Sequence, residues 1–433
     1  MKKSVTGLNI KAVSERTGVS LDTLRAWERR YGVPRPARVP GNRYRVYGEQ
    51  DIADVLWIKR QVEAGVSPAR ASAMLQVGGR PVPPTAGPTE QPLEAMRGTL
   101  LAALVSADET GAQQILDEAS ALFSLPQVAR DLIQPAMVEI GERWMKNEIT
   151  VAQEHFASNL IRQRLLGVLQ SQPPPPLTTP RLVAACPPAE QHEFGLLLFS
   201  LLARRGGWQV LYLGQRTPLA ALTSSASPAS LIVLSVTTVV GLASLIPLWV
   251  DRSRPAARLT LGGLLFKQVP LLREHIPGAF LGDDALEAVR ALATGGTRET
   301  GWRPSSRSLN AALALQDERL RLADATLEQM QHGPAGAAVR RSLVEPTLFL
   351  VDAVSSALAF QVPELLDVQG AWIRDLLVWH GVDPQMIQGH LKSFVRAARR
   401  VLPVEQRRSL DPLIGRLLAA AGEGPQKDTA QTW

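Results

Sequence analysis

"RLVAACPPAEQHEFGLLLFSLLARRGGWQVLYLG", Arg181 to Gly214, decides the fold of the largest part of this chain. It reads strand, loop, helix, strand. Downstream, "LIVLSVT", "ARLTLGG" and "GAFLGDD" read as further strands with helical segments between them. Short apolar runs alternating with helices imply a parallel sheet covered on both faces. Ligands of such sheets sit at the carboxyl ends of the strands. The loop after the first strand carries Glu190-x-His192-x-x-Gly195, Ser235 ends a later strand, and Gly262–Gly263 end the next. All three fall on one edge. An imidazole on such a loop can reach out as a metal ligand, and a carboxylate two residues earlier can hold its other nitrogen. A Gly pair at a strand end lets a bulky group approach the backbone. The bland alternative for His192 is a loop histidine facing water.

The rest of the chain divides around this block. Pro-rich stretches at Gly78–Pro92 and Gln172–Pro180 read as linkers, and Thr294–Ser308 as a third break. Four blocks result: residues 1–78, 92–171, 180–296 and 305–422. The expected fold class is multidomain, α and α/β. A single cysteine, Cys186, excludes a disulfide framework and a cysteine-based zinc site. The N-terminus has no apolar signal core. The uncharged run Ser230–Val250 reads as a buried strand, a turn and a helix rather than a membrane span. A cytoplasmic, non-membrane protein is expected. Net charge is +7, and residues 1–80 hold 15 Lys+Arg against 7 Asp+Glu. The whole positive excess therefore lies in the first block, which is an electrostatic footprint for a polyanion, most simply DNA.

In that block, "NIKAVSERTGVSLDTLRAWERRYG" reads as two short helices around a turn at Gly18, with Ser20 placed to cap the second. Thr23, Arg25, Arg29, Arg30 and Tyr31 are expected on the outer surface of that helix. "PARVPGNRYRVYGEQDI" follows with a wing-like pair of strands bearing Arg43, Tyr44 and Arg45. The order of these features over residues 8–75 resembles the DNA-binding domain of the MerR family. The resemblance implies a winged helix-turn-helix that binds double-stranded operator DNA as a dimer.

The third block, with its E-x-H-x-x-G, Ser235 and Gly262–Gly263, resembles the Rossmann-like cobalamin-binding domain. The resemblance implies that His192 is the lower axial ligand to cobalt. Glu190 stands where the family has Asp, and of the family's S-x-L only Ser235 can be carried over, since Ser235-Val236-Thr237 follows.

The second block reads as four amphipathic helices, a four-helix bundle, and holds Trp144-x9-Glu154-His155. With the MerR-like block ahead and the cobalamin-like block behind, this is similar to cobalamin-dependent photoreceptor regulators of the CarH/LitR type. That likeness implies that the bundle caps the upper corrin face, Trp144 packs over the adenosyl group of adenosylcobalamin, and Glu154 and His155 line the same pocket. It also implies a homo-oligomer, dimer or tetramer, that represses in the dark and comes apart after photolysis. Light-sensing relatives often carry a histidine directly after the motif Trp; here Met145 stands there.

Residues 305–422 read as a C-terminal all-α domain loosely resembling the globin-like domain of photocobilins. That likeness makes Trp372, Trp379, His380 and His390 candidate bilin-pocket residues, for a non-covalent biliverdin, since the block has no cysteine. The alternative is core tryptophans with two exposed histidines. The expected function is a non-enzymatic, light-responsive regulator. The alternatives are a light-independent cobalamin sensor, a dual cobalamin and bilin photoreceptor, and a corrinoid methyl-transfer protein, which would have no use for the basic block.

Overall fold

A computed structural model describes residues 8–38, 45–63, 66–76, 91–173, 175–176, 178–224, 231–250, 258–294, 299–330 and 343–420. It divides into two compact units. One holds Met1–Trp144 with Ile149–Ile161; the other holds Met145–Glu148 with Arg162–Trp433. Helices dominate, with one parallel sheet. Among the described residues no helix is long and apolar enough to cross a membrane.

The first unit opens with α1 (Ile10–Thr17) and α2 (Leu21–Tyr31). Asn9 caps α1 by accepting from the Ala12 N–H at 2.8 Å. Gly18 ends it at φ 65°, a left-handed conformation that only glycine adopts without strain. Ser20 caps α2 through the Thr23 N–H at 3.2 Å, as its position in the sequence predicts. Strands β1 (Ala37–Arg38) and β2 (Arg45–Val46) pair antiparallel, and α3 (Glu49–Glu63) and α4 (Pro68–Gln76) follow. Val13, Leu24, Trp27, Val55 and Ile58 form the buried centre. Next come α5 (Gln91–Val105), α6 (Glu109–Leu122), the short α7 (Leu125–Gln127), a π-helical turn (Val128–Ile133) and α8 (Gln134–Met145). A bend with Asn147 at φ 59° leads to α9 (Val151–Ser171).

In the second unit, β3 (Arg181–Ala185), β4 (Gln209–Gly214), β5 (Leu231–Ser235), β6 (Arg258–Gly262) and β7 (Ala279–Phe280) form one parallel sheet. Its order is β4-β3-β5-β6-β7. All five stand where short apolar runs predict them. Side chains alternate across the sheet. Leu182, Ala184 and Val233 pack on one face with Leu196 and Phe199 of α10 (Phe194–Arg205) and Leu292 of α16 (Ala285–Thr294). Val183, Ile232 and Leu234 face the other way, toward α12 (Val239–Ala243) and α14 (Leu264–Gln268). Between these elements lie α11 (Leu219–Ser224), α13 (Pro247–Val250) and α15 (Leu272–His275).

The C-terminal helices are α17 (Ser306–Asp317), α18 (Arg319–Gln329), α19 (Val344–Phe360), α20 (Glu364–Trp379), α21 (Pro384–Val401) and α22 (Val404–Ala420). The sequence break at Thr294–Ser308 suggests a separate core for them. Instead they share a continuous apolar core with the second face of the sheet: Leu242 and Ile246 belong to the same cluster as Val351, Ala357 and Phe360.

Candidate functional site

The carboxyl edge of the sheet brings the His192 loop, Ser235 and Gly262–Gly263 to neighbouring strands β3, β5 and β6. Glu190 is wholly buried, whereas the His192 side chain is 56% exposed. The carboxylate is saturated. Its Oε1 lies 2.6 Å from His192 Nδ1 and accepts the N–H groups of Gln191 and His192, both at 3.0 Å. Its Oε2 accepts the N–H of Thr237 at 2.9 Å, the N–H of Thr238 at 2.8 Å and the Thr238 hydroxyl at 3.0 Å. Burial alone would raise the Glu190 pKa. The hydrogen bond and charge of His192, with the N–H groups of His192 and Thr238, outweigh it and hold the carboxyl below its ordinary range. The pair fixes the ring orientation, with Nδ1 directed at the carboxylate.

Two glycines have a clear geometric reason. A Cβ on Gly241 would lie 2.6 Å from Glu190 Oε2 and 3.0 Å from Glu190 Cβ. Gly263 has φ 114°, and its Cβ would lie 2.3 Å from the Val236 carbonyl oxygen. Around Gly262 a Cβ would meet nothing within 4 Å, and the same holds for Gly195. A group approaching the edge at Gly262 therefore finds space. Ser235 pairs with Gly262 in the ladder and is 8% exposed. The residues that grip the carboxylate, Thr237 and Thr238, lie two and three positions further on. The sequence reading missed them and Gly241. Their signal is the Thr238-x-x-Gly241 step, in which Thr238 caps α12 by accepting from Gly241 N–H at 3.1 Å. An oriented imidazole beside an open strand edge fits a cobalt-bearing corrin. Next to it, Glu193 is 5% exposed and is bound by Arg162 and by the Tyr212 hydroxyl.

Of the α8–α9 motif, the structure brings Glu154 and His155 together. His155 Nδ1 lies 2.6 Å from Glu154 Oε2, and Ser158 donates to Glu154 Oε1 at 2.6 Å. His155 is exposed, while Trp144 and Glu154 are half-buried. Met145 is 1% exposed.

On the DNA-facing candidates, Thr23 bonds Ser20 and Arg25 bonds Asp22, while Arg45 pairs with Glu28 at 3.2 Å. Tyr31 departs from expectation: it packs against the core, and burial raises its hydroxyl pKa. Arg43 and Tyr44 lie outside the described residues. Arg30 and Arg29 both face Glu118 of α6, at 2.7 and 4.0 Å, and Trp27 donates to the Ala121 carbonyl at 2.5 Å. An internal carboxylate thus occupies guanidinium groups suited to phosphates. Glu118→Gln should tighten binding to duplex DNA roughly two- to fivefold, the scale of an exposed ion pair. Fluorescence anisotropy at fixed salt checks this, and unchanged affinity would show that the pair does not compete.

In the C-terminal helices, His390 is the bilin-pocket candidate that lines a cavity among the described residues. A small apolar cavity is lined by Leu350, Gly370, Ile373, Ile387 and Leu417 with His390, and by none of the other three. His390 is buried, its Nε2 2.8 Å from the Thr347 hydroxyl oxygen, and burial lowers its pKa to about 4. Trp372 packs on Phe349 at 5.1 Å between centroids, and His380 is exposed.

Comparison with known proteins finds two family profiles in the first half of the chain. The profile of the MerR HTH family regulatory proteins matches residues 8–77, and that of the B12 binding domain matches residues 96–166. The HTH-type transcriptional repressor CarA of Myxococcus xanthus is 37% identical over 217 residues, covering 50% of this chain and 70% of CarA. The repressor CarH of the same organism is 36% identical over 219 residues, covering 48% of this chain and 71% of CarH. A monomethylamine corrinoid protein of Methanosarcina barkeri aligns over 47% of this chain and 99% of its own at 17% identity, with a TM-score of 0.38, too low to bear on the fold. Identity at the CarA level over 70% of that relative is decisive: this chain belongs to the MerR-type, B12-binding-domain regulators represented by CarA and CarH.

Proposed function

We propose that this protein is a cobalamin-dependent, light-responsive transcriptional repressor. It would hold operator DNA in the dark with adenosylcobalamin bound and release it after photolysis. The observation that carries the cofactor reading is the saturated Glu190 carboxylate, which orients His192 at a strand edge open around Gly262. When bound, adenosylcobalamin supplies a light-labile cobalt–carbon bond. His192 would hold the cobalt through its imidazole, with Glu190 fixing the tautomer, and Ser235 with Gly262–Gly263 would flank the space for the cofactor's nucleotide arm. Trp144, Glu154 and His155 act on the adenosyl side, a role that rests on resemblance to the photoreceptor family. Thr23, Arg25, Arg29, Arg30 and Arg45 contact DNA, and two or more copies binding together give an avidity that disassembly removes. Architecturally, this is a winged helix-turn-helix, a four-helix bundle and a Rossmann-like domain, with the all-α block following.

The test is size-exclusion chromatography with absorbance detection on protein loaded with adenosylcobalamin, in the dark and after green light. A corrin spectrum on the protein, and a size that changes with light, is the expected result. His192→Ala should weaken cobalamin binding at least about tenfold, and Trp144→Ala should bind the cofactor but fail to assemble. Wild-type behaviour in both variants would remove the site assignment. A second reading, a light-independent cobalamin sensor, is favoured by Met145, a thioether where light-sensing relatives often have an imidazole. A bound corrin with no light-dependent change in size would select it.

A further inference from the structure

The second unit contains a physical connection between the His192 loop and the C-terminal helices. It begins at Glu190. One carboxylate oxygen holds the amides of Gln191 and His192 and the His192 ring; the other holds the amides of Thr237 and Thr238 and the Thr238 hydroxyl. The histidine loop is therefore tied directly to the start of α12. Gly241, one turn into α12, is the residue whose missing side chain leaves room for Glu190. Any shift of α12 along or about its axis must move the carboxylate or collide with it.

The far side of α12 is not free to shift alone. Val239, Leu242 and Ala243 share a core with Val351, Val354 and Ala357 of α19. The Ser356 hydroxyl reaches the Val239 carbonyl at 3.5 Å. Past α12, Trp249 meets Phe360 edge-on at 5.2 Å, and the Phe360 carbonyl oxygen lies 3.1 Å from His275 Nδ1. The helix α19 is buried along almost its whole length, and Asp352 on it is held by Gln316 at 2.9 Å and Arg319 at 2.8 Å. A close-packed helix of this kind transmits displacement instead of absorbing it.

We propose that α12 is a coupling element: through it, the position of α19 in the C-terminal helical block sets the position of the Glu190–His192 pair. Thr238 and Gly241 are positioning residues in this scheme. The block then acts as a regulatory partner of the histidine loop and not only as a scaffold. The functional meaning of that control rests on His192 being the cobalt ligand, but the mechanical coupling can be measured without cofactor.

The experiment is amide hydrogen exchange over residues 187–195 in the full-length, cofactor-free protein. Ser356→Leu forces extra volume between α19 and α12, more than 160 residues from the loop in sequence. Exchange at the Gln191 and His192 amides is expected to rise at least about fivefold. Ser393→Val, on α21 and away from α12, should leave that exchange unchanged. Phe360→Leu is the milder companion and carries the test should Ser356→Leu not fold. Unchanged loop exchange in whichever variant folds, or equal acceleration in Ser393→Val, overturns the coupling. Cobalamin binding by the wild-type protein is scored separately. Loss of that binding with coupling intact would reject the cofactor reading alone.

Discussion

Glu190→Ala is expected to destabilise the sheet-containing unit by about 3–5 kcal/mol and to release His192 from its fixed orientation. The carboxylate is buried and accepts from four backbone amides, one hydroxyl and one ring nitrogen. Removing it leaves those partly buried donors without their shared acceptor, and each hydrogen bond to a charged acceptor contributes about 1.5–3 kcal/mol net. Partial refilling by water keeps the total well under their sum. Glu190→Asp is the more informative variant. It keeps the charge but shortens the arm by one methylene. It should therefore lose one of its two sets of partners, either His192 with its neighbours or Thr237 and Thr238. Urea unfolding of the two variants, with cobalamin titration followed by absorbance, separates stability from ligand orientation. Wild-type stability in Glu190→Ala would mean that the loop amides find other acceptors and that the carboxylate is not the organising group.

The second large effect is a pH dependence centred on His390. Burial in an apolar cavity lowers its pKa from 6.5 to about 4. Between these values the unfolded chain takes up a proton that the folded chain refuses. Stability is therefore full above pH 6.5, falls as pH drops toward 4, and loses no more from this group below that. The gap corresponds to about 3 kcal/mol. His390→Leu should remove this slope, leaving the Thr347 hydroxyl still donating to the Leu343 carbonyl at 2.6 Å. Urea midpoints at pH 7 and pH 5, read from amide exchange in α20 and α21, test this. An identical drop in the variant would assign the acid sensitivity to other groups, Asp352 being excluded by sign because its pKa is raised.

Much of this protein was legible one residue at a time. Gly18, Ser20 and the Arg-rich second helix announce two helices around a turn because caps and left-handed turns are local requirements. The five strand runs announce a parallel sheet because apolar runs between helices have few other solutions. The Glu190-x-His192 spacing announced a carboxylate holding a ring nitrogen, since both partners lie on one short loop. The sequence could not reveal that the carboxylate's second oxygen belongs to Thr237 and Thr238, 47 and 48 residues away. Nor could it show that Gly241 exists to make room for it. It divided the C-terminal helices from the sheet at a loop rich in Gly, Ser and Thr, because composition reports where a chain bends, not what it packs against. It put Tyr31 on the surface, where the structure packs it against the core, because a tyrosine at a helix end suits either environment. Local conformation and the pairing of Glu190 with His192 on one loop are therefore properties of the sequence alone. The closure of Glu190 by α12, the shared core of sheet and C-terminal helices, and the burial of His390 are decided only when distant segments meet, since burial and long-range hydrogen bonds depend on tertiary neighbours that no local pattern encodes.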